Sequence, residues 1–130
     1  MEPNPVTVRV AELWTGSIQC QSNASYYQRV TLTIAGEQVV FGGTGEGTPM
    51  TLPDGNTSIS LGSTRGDRHV PCLFEFSPNG PGGPFSNSSV LAPTYIETPS
   101  GMFIQVQSED SVDNDYNDSV LAFVPTAHQA

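Results

Sequence analysis

The chain has 130 residues and a net charge of −9, with four arginines and no lysine. Its length fits one domain, read as residues 1–130, and suffices to bury a core without staples. The charge balance cannot supply the basic stripe that a phosphate backbone requires, so nucleic acid is excluded, and no apolar run approaches the roughly 20 residues needed to enter and cross a bilayer.

At the start, MEPNPVTVRVAELW has neither a basic n-region nor a continuous apolar h-region, which is not the pattern of a signal peptide. The expectation is a cytoplasmic protein or one exported without such a peptide, with secretion after processing as the other route. Val6, Val8 and Val10 alternate with Thr7 and Arg9, the period of a half-buried strand. Four Asn-x-Ser/Thr sequons follow along the chain, at Asn23, Asn56, Asn87 and Asn117. YYQRVTLTIAGEQVVF reads as two strands around Ala35-Gly36-Glu37, with Val30, Leu32 and Ile34 on one face. Residues 42–55 and 62–69 are small, polar and turn-rich and are expected on a rim. Val70, Cys72, Phe74 and Phe76 share a face of a later strand. NGPGGPFSNSS, residues 79–89, reads as a loop. YIETPSGMFIQVQ predicts two strands joined through Pro99-Ser100-Gly101, and Val120 to Val124 a last one.

No segment carries a helical repeat. About eight or nine short strands with Gly/Pro turns predict an all-β, antiparallel β-sandwich. Trp14, Phe74, Phe76, Phe103 and Phe123 are assigned to its core. His69 and His128 stand in polar company and read as surface residues. Cys20 and Cys72 fall in strand-like runs; one bridge or two buried thiols both remain open.

The chemistry concentrates in SEDSVDNDYNDSVLAF, residues 108–123, where five of the thirteen acidic residues fall within ten positions. The run holds no Lys or Arg, and like charges so close repel one another. It also leads directly into an apolar strand, so its end must approach the core, where unpaired charge is costly. Glu109, Asp110, Asp113, Asp115, Asn117 and Asp118 offer hard oxygen donors, the ligand type calcium prefers. Asp113, Asp115 and Asn117 alternate as in an EF-hand loop. However, Asp118 stands where that loop needs Gly and Val124 where it needs Glu, and the flanks are strands. An EF-hand is rejected.

Glu-Asp-x-x-Asp-Asn-Asp-Tyr-Asn-Asp before an apolar strand resembles the calcium loop of the bacterial two-calcium fucose- and mannose-binding lectins, the LecB type. SNASYYQRVTLTIAGEQVVFGG, residues 22–43, resembles that family's early hairpin. The likeness covers residues 20–43 and 94–125. It implies Glu109, Asp113 and Asp118 around one Ca²⁺, and Asp113, Asp115, Asn117, Asp118 and the backbone oxygen of Asn23 around a second. Adjacent hydroxyls of mannose or fucose would complete both shells, Asp110 would accept a hydrogen bond from the sugar, and Val112 would touch it. Ala24, Ser25 and Tyr26 would contact the ring and set preference, Ala24 turning it from fucose towards mannose. Tyr116 would be a plug beneath the loop.

There are departures from the family pattern. Ser111-Val112 stands where the family has Gly-Thr. The resemblance implies the carboxylate of Ala130 as a ligand in a partner's site, and FVPTAHQA runs about two residues longer than that role requires by ungapped count. The resemblance implies a calcium-dependent lectin, a homo-oligomer because single shallow sugar sites gain by multivalency, and not an enzyme. Two alternatives stand beside it. One is a structural or adhesive β-sandwich that calcium merely stiffens. The other is a glycoside hydrolase, disfavoured because calcium pushes carboxylates towards ionisation when that chemistry needs one protonated.

Overall fold

A computed structural model describes residues 3–109 and 118–126. Ten strands follow in chain order: β1 (Val6–Val10), β2 (Gly16–Ile34), β3 (Glu37–Pro49), β4 (Ser58–Leu61), β5 (Arg68–Ser77), β6 (Ser86–Asn87), β7 (Ser89–Val90), β8 (Thr94–Thr98), β9 (Gly101–Glu109) and β10 (Ser119–Pro125). Every pairing is antiparallel, and no helix occurs among the described residues. The all-β antiparallel expectation holds, with ten strands where eight or nine were expected. The two additional elements are the two-residue strands β6 and β7, carried by the stretch read as pure loop. They are too short to leave a periodic signal.

The organising element is β2, 19 residues long. Its first half lies between β4 and β10, and its second half between β3 and β5. Register shifts between Ser22 and Ala24 and between Ala24 and Gln28 mark the passage from one set of neighbours to the other. Bulges of this kind bend a strand and strengthen its twist, which lets one strand pass between two sets of neighbours within the single ten-stranded sheet.

Alternation fixes which side chains go inside. Ile18, Phe123 and Ile104 form one inward row across β2, β10 and β9, and Cys20, Leu121 and Val106 form the next. Val8, Val30, Leu32, Phe41, Val70 and Phe74 join them in one buried cluster. Each such side chain contributes about 1.5–3 kcal/mol by leaving water. Trp14 seals one end, its indole donating to the Met102 carbonyl at 2.8 Å and its ring set edge-on to Phe123. Phe76 and Phe103, assigned above to the core, are only half-buried. Phe76 lies at the open end of its strand and Phe103 on the outer face.

Residues 42–49 correct the rim assignment, because they continue β3 against β2. Glycine is required there for packing: a Cβ on Gly42 would collide with the Tyr27 hydroxyl, and one on Gly43 would press on Met50. Met50 itself is fully buried. Residues 62–67 do form a rim, tied down where Leu13 N donates to Thr64 and Arg9 pairs with Asp67 at 2.6 Å.

Candidate functional site: the acidic end of the sheet

Beyond the two apolar rows, the next inward row of β2, β10 and β9 is Ser22, Ser119 and Ser108. All three serines are buried. Gln28, also buried, reaches into this layer, its Oε1 accepting a hydrogen bond from Ser119 Oγ at 2.8 Å. The core therefore changes from hydrocarbon to hydroxyl and carboxamide just where the acidic run leaves and rejoins the sheet.

Glu109 ends β9 and Asp118 precedes β10, and their exposures are 3% and 5%. Backbone bonds fix both positions. Asp118 N donates to Ser108 O at 3.0 Å, Asn23 N donates to Asp118 O at 2.9 Å, and Glu109 pairs with Ser89. Asn23 is thus locked to the chain end of the acidic run although 95 residues separate it from Asp118. Its side-chain oxygen accepts hydrogen bonds from Gln21 Nε2 at 2.9 Å and Gly47 N at 3.0 Å.

Ala24, Ser25 and Tyr26 follow on the bulged part of β2. Ala24 is buried, while Ser25 and Tyr26 are exposed. The hydroxyl of Thr44 holds this segment from β3, lying 2.9 Å from the Ser25 carbonyl and within 3.4 Å of those of Ala24 and Tyr26. Thr44 lies in the glycine-rich stretch read as a turn, and its positioning role had no signal in the sequence. The same is true of Gln28 and the serine row, since Ser and Gln are ordinarily surface residues.

Of the expected site residues, the structure brings together Asn23, Ala24, Ser25, Tyr26, Glu109 and Asp118 at one end of the sheet. Asp110, Val112, Asp113, Asp115, Asn117 and Ala130 lie outside the described residues, as do Tyr116 and His128. Among the described residues, no three His, Cys, Asp or Glu side chains stand together as a metal site. The donors that are described are of the type a hard cation takes: two buried carboxylates and the backbone oxygen of Asn23, with both cysteines elsewhere in the apolar core.

A separate cavity of about 340 Å³ opens on the outer face of β2, β10 and β9, lined by Gln19, Gln21, Thr57, Phe103, Gln105 and Ala122 among others. None of the expected site residues lines it.

Residues 8–126 match the family described as fucose-binding lectin II (PA-IIL), and the chain belongs to that family. It is a family of binding proteins and not of catalysts, which sets aside the hydrolase alternative. Among solved structures, the Ralstonia solanacearum high-affinity mannose-binding lectin is 20% identical, with a TM-score of 0.63 over 92% of this chain and 95% of that one. The Chromobacterium violaceum lectin CV2L, solved with α-methyl-fucoside, is 18% identical, with a TM-score of 0.64 over 93% and 95%. The C-terminal domain of the Burkholderia cenocepacia lectin BC2L-C is 19% identical, with a TM-score of 0.64 over 94% and 95%. At these identities the likeness is one of fold. No curated protein matches the sequence.

Proposed function

We propose that the chain is a calcium-dependent lectin in which mannose- or fucose-type sugars coordinate two Ca²⁺ ions held by the acidic run. The observation that carries this reading is the burial of Glu109 and Asp118 at the two ends of that run, with Asn23 bonded to Asp118, in a chain of the fucose-binding lectin II family. A run of five acidic residues with no Lys or Arg among them repels itself, and a bound cation would relieve that repulsion. Glu109, Asp113 and Asp118 would hold one ion. Asp113, Asp115, Asn117, Asp118 and the Asn23 backbone would hold the other. Two ions bring four positive charges and take 6 to 8 oxygens each, a demand this donor set and two sugar hydroxyls meet. The calcium supplies direct coordination of the hydroxyls, while Asp110 and Val112 would contact the sugar from the loop and Ala24, Ser25 and Tyr26 from β2.

A homo-oligomer follows in this reading from the weakness of single sites. Retention on immobilised mannose in calcium, with release by a chelator, is the expected outcome. Flow-through in saturating calcium on both mannose and fucose columns would leave only the reading in which calcium stiffens a structural sandwich.

A further inference from the structure

We infer that Tyr26 and Phe76 form a platform for a second pyranose ring, next to the sugar held at the acidic run; the inference rests on the lectin reading above. Their rings lie parallel, with centroids 5.9 Å apart and planes 10° from each other. Phe76 is cross-strand to Gln28 and so points to the core side at its open end. Tyr26 lies over it and keeps 36% of its surface exposed.

The platform sits at the same end of the sheet as the acidic run. Tyr26 O accepts from Gln28 Nε2 at 3.2 Å, and the same Gln28 accepts from Ser119, the residue after Asp118. Thr44 holds the Tyr26 backbone from the other side. The ring is therefore fixed at both its backbone and its face, and its loss of freedom on binding a ligand is small.

The chemistry selects the occupant. A pyranose presents C–H groups on one face, and an aromatic face carries negative potential that attracts them. A rigid tyrosine offers that face together with a hydroxyl at little entropic cost. The chain has no lysine, and Arg29, the cation next to the platform on β2, is paired with Glu75 at 2.9 Å, so its charge is already met and an acidic sugar gains little there. The ligand is accordingly a neutral disaccharide or longer glycan, its first ring on the acidic run and bordered by Ala24, Ser25 and the edge of Tyr26, its second over the face of the Tyr26 ring.

Calorimetric titration in saturating calcium, with methyl α-mannoside against the α1-2, α1-3 and α1-6 mannobioses, tests this. At least one disaccharide should bind about fivefold more tightly than the methyl glycoside, the scale of one aromatic contact. Tyr26→Ala should bring that ratio near one, and Tyr26→Phe should keep it. Every mannobiose binding within about twofold of the methyl glycoside to the wild type, or a ratio unmoved by Tyr26→Ala, overturns the platform alone. Absence of binding by any of these sugars and by methyl α-fucoside overturns the lectin reading beneath it.

Discussion

Asn4 lies before the first strand and yet does the work of a strand residue. Its Nδ2 donates to the carbonyls of Phe74 at 2.7 Å and Ser88 at 3.0 Å, and its Oδ1 accepts from Phe74 N at 3.1 Å. One carboxamide thus joins β5 to the β6–β7 segment that faces Glu109 through Ser89. Each such bond contributes about 0.5–1.5 kcal/mol net, and Asn4→Ala strands partly buried backbone groups besides. The variant should lose about 2–3 kcal/mol in chemical denaturation. A loss below about 0.5 kcal/mol would show these bonds to be replaceable by water. Ala24 tests the site at the same scale. Its methyl lacks the hydroxyl that the resemblance associates with fucose preference. Ala24→Ser should move relative affinity towards methyl fucoside by about 0.5–1.5 kcal/mol against methyl mannoside. An unchanged ratio would assign preference elsewhere.

The β2–β3 hairpin turns at Ala35-Gly36, where both residues have positive φ, 52° and 82°. This is the conformation that a two-residue type I′ loop requires and that a Cβ disfavours. Gly36 accepts it freely, whereas Ala35 does not. Asn is the favoured residue there, so Ala35→Asn should raise stability by about 0.5–1 kcal/mol without altering the strands. Equal or lower unfolding midpoints would contradict that account of the turn. This hairpin was legible because alternation and turn chemistry agree over its length. Its continuation was not, because Gly42 and Gly43 read as punctuation when they are spaces for Tyr27 and Met50. Phe85 illustrates the same limit: it lies in the glycine- and proline-rich stretch, and its ring is held by the Arg29 guanidinium 3.6 Å from its centroid. A contact between residues so distant in sequence leaves no local pattern.

Across the whole molecule, the core is apolar at one end and polar at the other, and the two cysteines belong to the apolar part. Both are free and buried. Burial, with a smaller contribution from the neighbouring Cys72 thiol, pushes the Cys20 pKa well above its usual value, and burial pushes that of Cys72 up to about 12. The stability this represents is fully present below the unfolded thiol pKa of about 8.5 and is lost as pH rises through the folded-state values. Unfolding midpoints should accordingly fall above about pH 9, and less so in a Cys20→Ala/Cys72→Ala variant. A thiol reagent should label neither cysteine in the native protein and both in denaturant. The acidic run stood out in the sequence by its charge density, since it holds no Lys or Arg to offset it. The polar serine layer beneath Glu109 and Asp118 was not, because its members meet only through the pairing of β2, β9 and β10.

The central claim is that this acidic end is completed by bound calcium, and thermal unfolding with and without the ion tests it most directly. If two ions bind only the folded chain, each should add about 2.7 kcal/mol at a hundredfold excess over its dissociation constant. The unfolding midpoint should then drop clearly on chelation, and Asp118→Ala should unfold in calcium much as the chelated wild type does. An unfolding curve that stays unchanged after the metal has demonstrably been removed would contradict the account.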